Sequence, residues 1–254
     1  MVKILLSATV IFNITFIILT ILSLFLRTSV NDVINVAQGL TAFNALRITF
    51  FSLFFSTLLT TLLGIPFAYL LANRDSKIYK VIDTLLIIPM VMPPTVTGLA
   101  LLMTFGRRGI LSSFLIRYNL DIPFSFIALI FVQVFVMMPF FVQSLKSGFE
   151  AIDDNIKKAA MVFGSDEKEL LFDIYLPLSI RPLLIGLIIA ILRAAGEFGA
   201  TIMFAGNLEG RTQTLTTAIY TLAQQNLEEA IALAVILLLI FLIPLLILQL
   251  VIKK

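Results

Sequence analysis

Arg193 and Glu197 lie one helical turn apart in the otherwise uncharged run 182–206, so a helix there sets both on one face. Counted from Pro182 at 1.5 Å per residue, Arg193 stands about 16 Å along that helix, near the middle of a bilayer core about 30 Å thick. Ionisable groups at such depth face a bundle interior or a wet path and pair with something. Two roles are open: a mutually neutralising structural pair, or part of a gate. Gly196 and Gly199, in the string GEFGAT, would let another helix approach closely. A second group of candidates is the string LLIIPMVMPPTVTGLALL at 85–102. Pro89, Pro93 and Pro94 each remove a backbone donor, and Gly98 loosens the helix further. The freed carbonyls must be buried in protein or line a wet cavity. Thr95 and Thr97 can satisfy some of them or offer hydroxyls to a solute. Either a kinked packing helix or a pathway-lining one fits this pattern.

The third group is a charged island, 146–173, between two apolar runs. Phe149, Ile152, Ile156, Ala159, Ala160 and Phe163 have the spacing of one helical face. Asp153 with Lys157 and Asp154 with Lys158 form acid-first i,i+4 pairs. Gly164 is placed to end that helix in a left-handed conformation. Ser165 is the expected N-cap of a second short helix, with Asp166 and Glu167 in its first turn and Leu170, Leu171 and Ile174 as its stripe before Pro177. Helix, glycine elbow, helix is a rigid part suited to docking. An amphipathic helix lying on lipid headgroups explains the stripe but neither the elbow nor the acidic residues.

The elements that must carry these residues follow from composition. The chain has 254 residues, 60% of them hydrophobic and 13% charged, and its mean hydropathy is +1.08. So much apolar surface needs lipid as its solvent. Uncharged runs at 4–26, 48–71, 84–105, 122–145 and 230–252, with 182–206, give six expected transmembrane helices of about 20 residues or more. The first is read as a retained helix, because it is too long for a signal-peptide core and has no clear cleavage site. Residues 1–41 then hold the first helix and an outer linker, and 42–252 the main transmembrane domain, containing the segment 146–177.

Six spans put both termini on one side. With the termini inside, the inner segments hold eleven positive residues: Lys3, Arg74, Lys77, Lys80, Lys146, Lys157, Lys158, Lys168, Arg181, Lys253 and Lys254. The outer segments hold six: Arg27, Arg47, Arg107, Arg108, Arg117 and Arg211. The excess of positive residues inside places the island in the cytoplasm, although three arginines in one outer loop run against the rule.

Several chemistries are excluded. The chain has no Cys and no His, so thiolate sites, disulfides and the commonest general base are unavailable. It has no Gly-rich phosphate loop followed by Lys-Ser/Thr. Nothing in the chain would therefore bind ATP phosphates in the usual way. A net charge of +3 is too slight to indicate nucleic acid.

The island resembles the cytoplasmic motif of binding-protein-dependent ABC transporter permeases, written EAA, three residues, Gly, nine residues, Ile-x-Leu-Pro. Lys158-Ala159-Ala160, Gly164, Ile174, Leu176 and Pro177 stand at that spacing, with Lys158 where the family often has Glu. The resemblance implies a coupling helix, with Lys158, Ala159, Ala160, Phe163 and Gly164 fitting a groove on a separate ATPase subunit. The string from Arg193 to Gln224, with its outer part GNLEGRTQTLTTAIY, and PMVMPPTVTGLALL are similar to molybdate permease subunits. This similarity implies an all-α, type I ABC importer permease in a prokaryotic plasma membrane. Its implied partners are a second copy, two cytoplasmic ATPase subunits and an extracytoplasmic oxyanion-binding protein, with no cofactor. Tungstate is a close competitor as substrate, and sulfate or thiosulfate permeases share GEFGA-like strings. For an anion, Pro93, Pro94, Thr95 and Thr97 become pathway candidates, with Arg193 and Glu197 nearer to a gate than to the substrate, since a carboxylate repels anions. An ion-coupled secondary transporter would show more paired ionisable residues or an inverted repeat. A membrane enzyme would show clustered catalytic side chains.

Overall fold

Long apolar stretches leave the backbone no partner but itself, and helix results throughout. The computed structural model describes residues 2–253, and the described residues contain no strand. Lys254, counted above among the inner positive residues, lies outside them. The helices are α1 (Val2–Leu26), α2 (Val30–Gln38), α3 (Leu40–Asn73), α4 (Lys77–Val91), α5 (Pro94–Phe105), α6 (Ser112–Arg117) and α7 (Phe126–Glu150). They continue with α8 (Asp154–Val162), α9 (Glu167–Leu178) and α10 (Ile180–Ala195). A π-helical turn at Thr201–Ala205 precedes α11 (Leu215–Gln225) and α12 (Leu227–Lys253).

Four of these, in α1, α3, α7 and α12, are long and apolar enough to cross a membrane, and two bent pairs raise the number to six. The third expected span is therefore no single rod: α4 and α5 meet at 119°. Proline sterics explain the break. Pro93 pushes Met92 out of the helical region (ψ 131°), and Pro94 does the same to Pro93 (ψ 137°). Pro94 then opens α5 at the first helical position, where its missing N–H costs nothing. Likewise α9 and α10 meet at 77°.

The body is built on α3 against α7. Thr49, Ser52, Ser56, Thr60, Gly64 and Ala68 form one buried stripe on α3, and small side chains there let the two helices approach closely. A Cβ on Gly64 would come within 2.6 Å of the Phe141 ring. One apolar cluster gathers Tyr69, Phe141, Leu145, Phe149, Leu170 and Tyr175 at the island end. A second, at the opposite end, gathers Ile48, Leu101, Leu129, Ala200 and Phe204. No described side chain of α1 is buried within the chain. Its apolar surface is left for lipid or another subunit.

Candidate functional site

The two broken spans meet at their breaks. Helix α10 ends at Ala195 and the chain leaves helical geometry at Glu197 and Phe198, so the run 182–206 is interrupted at the expected ionisable pair. Close contact joins this break to the start of α5. A Cβ on Gly199 would sit 2.7 Å from the Cβ of Pro94 and 3.2 Å from the nitrogen of Thr95. One on Gly98 would sit 2.6 Å from the Cβ of Met203 and 2.9 Å from the Cα of Ala200. Gly98 and Gly199 are thus the positions where backbone meets backbone. Gly196, expected to share that role, does not: a Cβ there would find only Leu192 and Arg193 carbonyls of its own helix, at 3.6 and 3.9 Å. It is the C-cap of α10. Thr97 is buried, whereas Pro93, Pro94 and Thr95 stay exposed on the single chain. Pro89 lies apart from them, lining an apolar cavity of about 560 Å³ among α3, α4, α5 and α7.

The pair itself is formed. Arg193 Nη1 donates to Glu197 Oε2 at 2.7 Å. The Arg193 side chain is 35% exposed and that of Glu197 1%. The other carboxylate oxygen, Oε1, accepts from the Ala200 N–H at 2.9 Å. Glu197 therefore caps the first turn of the next helical segment, where a negative charge is favoured. Thr216, in α11, donates its hydroxyl to the Glu197 carbonyl at 3.0 Å, and the rings of Phe198 and Tyr220 lie 4.9 Å apart. The segment 206–220 thereby clamps the break from outside it.

At the other end, the island differs from one continuous amphipathic helix. Helix α7 stops at Glu150, and Asp153 restarts the chain by accepting from the Asn155 N–H at 2.8 Å. The expected stripe is divided by this turn. Phe149 and Ile152 belong to the core, Ala160 packs partly against it, and Ile156 faces out. Val162 and Phe163, 84% and 89% exposed, form an apolar tip. Lys157 pairs with Asp154 at 3.1 Å, an i,i+3 contact in place of the two expected i,i+4 pairs. Gly164 takes φ +89°, and the Ser165 N–H bonds to the Ala160 carbonyl at 3.1 Å, which is the Schellman closure the elbow requires. The following N-cap is Asp166 rather than Ser165, because a reciprocal box with Glu169 satisfies both backbone N–H groups. The second stripe forms, with Leu170 and Leu171 buried and Ile174 packed partly against the same core, and Tyr175 is added to it.

Two polar arrangements and one aromatic cluster were not anticipated. Gln133 on α7 donates to Ser52 at 2.9 Å and accepts from Ser56 at 2.8 Å, all three buried. The signal for it was the small-residue spacing on α3 together with an amide in the middle of a long apolar run. Asp83 on α4 accepts from Lys146 and from Gln143, both on α7 and both at 2.6 Å. Tyr69, Phe149 and Tyr175 form an edge-on cluster. In the loop that carried three arginines, Arg107 bonds Asp121 at 2.8 Å. That hydrogen bond holds the Asp121 carboxyl below its ordinary value and raises Arg107. One of the three charges is thus neutralised locally. Among the described residues no group of acidic side chains could hold a metal ion.

A multi-pass helical bundle with two broken spans touching at their breaks, and a capped helical elbow at one end, is the frame of a membrane permease. The chain belongs to the family of binding-protein-dependent transport system inner membrane components, which it matches over residues 64–254. It is 33% identical over 207 residues to a probable transport system permease protein, NifC, of Clostridium pasteurianum, covering 81% of this chain and 72% of that one. It is 35% identical over 182 residues to the molybdenum transport system permease protein ModB of Mycobacterium tuberculosis, covering 72% and 69%. Its fold matches that of a bacterial ABC transporter involved in the import of alginate, with a TM-score of 0.76 at 17% identity, over 99% of this chain and 93% of that one.

Proposed function

We propose that this chain is the permease subunit of an ATP-driven ABC importer for molybdate, with tungstate as the nearest rival substrate. The substrate rests on the similarity to molybdenum permeases over most of the chain. In this reading two copies form the translocation path, two cytoplasmic ATPase subunits drive it, and an external oxyanion-binding protein loads it. Both termini and the island lie in the cytoplasm. Lys158, Ala159, Ala160, Phe163 and Gly164 form the docking surface for the ATPase. Pro93, Pro94, Thr95 and Thr97, with Arg193 and Glu197, lie at the moving part of the path.

The observation that carries the coupling role is the apolar tip. Val162 and Phe163 are exposed at the end of a short capped helix that the island's charges keep in water. An apolar tip fixed by a Schellman turn is complementary to a groove on a soluble partner. Importer closure would then move α8 as a rigid piece, and the bent spans would change their mutual angle. In cells lacking this chain, uptake of labelled molybdate, tungstate and sulfate is the decisive comparison. Molybdate and tungstate uptake restored by the chain supports the reading. Restoration of sulfate uptake alone assigns it to the sulfate/thiosulfate type.

A further inference from the structure

We propose that Tyr175 is a positioning residue through which movement of the docking helix reaches spans α3 and α7; the inference rests on the ATPase-docking reading above. Its ring is buried and lies 5.0 Å from that of Tyr69 on α3 and 5.3 Å from that of Phe149 on α7, edge-on to both. Tyr69 and Phe149 also touch edge-on at 6.4 Å, so the three rings close a triangle. The Tyr175 hydroxyl donates to the side-chain carbonyl of Asn73, whose own amide is fastened to the Tyr69 carbonyl at 3.0 Å. From the docking helix, Lys157 Nζ stands 5.7 Å from the centre of the Tyr175 ring. One side chain therefore joins α3, α7, α8 and α9.

Core packing alone does not explain this arrangement. A large apolar residue would fill the space, but it would neither reach Asn73 nor present a phenol face to Lys157. The hydroxyl and the ring face each engage a different element. Tyr175 also ends the π-helical stretch Leu170–Tyr175, an irregularity found frequently at functional sites. A second tie runs beside the first: Arg74, just past α3, bridges to Glu167 at the start of α9 at 2.9 Å. Packed aromatic groups with directed contacts pass on displacement because they have discrete arrangements rather than continuous give.

The test uses the complete importer in proteoliposomes, with its ATPase, the external binding protein, ATP and molybdate. Lys157→Met with Arg74→Gln cuts both polar ties without touching the buried rings. Tyr175→Phe removes only the hydroxyl, and Tyr175→Leu removes the ring. The variants are expected to keep the ATPase bound and hydrolysing while molybdate imported per ATP falls roughly two- to thirty-fold, least for Tyr175→Phe. A merely structural role would lower the melting temperature and leave that ratio at the parental value. Variants that hold the ATPase and import with the parental ratio overturn the proposal. So does loss of the ATPase from the variants alone, which would assign Tyr175 to docking. Failure of the docking reading looks different, since the parent itself would then bind no ATPase.

Discussion

Gly98→Val tests the contact between the two broken spans. The Cβ it adds would stand 2.6 Å from the Met203 Cβ, 2.9 Å from the Ala200 Cα and 2.9 Å from the Ala200 carbonyl oxygen. Carbon atoms rest at about 3.5–4.0 Å, so the helix and the π turn must separate by roughly 1 Å. Two of the three obstructing atoms are backbone and cannot rotate away. Overpacking of this kind costs about 1–3 kcal/mol, and two further methyl groups place valine near the upper figure. Better helix propensity than glycine returns a few tenths of a kcal/mol. The remainder, about 2.5 kcal/mol, is close to two orders of magnitude in any equilibrium that depends on this contact. Molybdate uptake should fall by that order, or the purified protein should melt several degrees lower. Gly196→Ala is the control, since its Cβ meets nothing nearer than 3.6 Å and its φ is −85°. Parental uptake and melting in Gly98→Val would refute the close contact. Equal damage from Gly196→Ala would refute the reasoning that separates the two glycines.

Arg193→Met leaves the buried Glu197 carboxylate uncompensated at a cost of about 3–5 kcal/mol, and Glu197→Gln leaves the part-exposed Arg193 unpaired at a smaller one. Each alone should therefore reduce assembly, Arg193→Met more, and the double variant should recover it. Uptake by the recovered double variant then separates a structural pair, which transports, from a gate, which does not. Gly164→Val forces a β-branched residue to φ +89°, so ATPase co-purification should be lost while membrane insertion is kept; normal co-purification would remove the elbow from the docking surface. Gln133→Leu strands the Ser56 hydroxyl, while Ser52 keeps its bond to the Thr49 carbonyl, and should destabilise the bundle by about 1–3 kcal/mol in a melting assay, with no change if that network carries no weight. A cysteine at Asp166 should react with an impermeant thiol reagent only in inverted vesicles and one at Arg211 only from the outer face; same-side labelling would overturn the orientation. Arg211 is exposed and so open to the reagent.

Local signals were legible where one segment decides the outcome. The glycine elbow, the proline break and the Arg193–Glu197 pair each depend on residues within a turn or two, and each forms where the sequence places it. Periodicity failed at Phe149–Phe163 for a local reason too: Asp153 is a strong N-cap, and a cap in mid-stripe divides the helix whatever the apolar spacing suggests. The Asp166 cap followed the same logic, since a box partner three residues on outweighs a hydroxyl one residue earlier. What could not be read was which faces meet. The α3 stripe of small residues pairs with Gln133, which lies 77 residues beyond Ser56 and 81 beyond Ser52, and no local pattern joins them.

The same limit applies to the two breaks, and it has a consequence for how the path is built. A proline break in the third span and a carboxylate-capped break in the fifth each leave backbone groups that lipid cannot satisfy. Glu197 answers part of this need within its own segment, through Ala200, and Thr216 fastens its carbonyl from α11. The Pro93–Pro94 break has no side-chain cap, and the GEFGAT backbone packs against the first turns that follow it, admitted by Gly98 and Gly199. Each break thus needs the other. A change of angle at one must be followed at the other, because 2.6–2.9 Å of virtual Cβ clearance leaves no space for sliding. This mutual dependence makes α5 and the segment after Glu197 one packed unit, in which glycine at 98 and 199 admits the Met203 and Pro94 side chains.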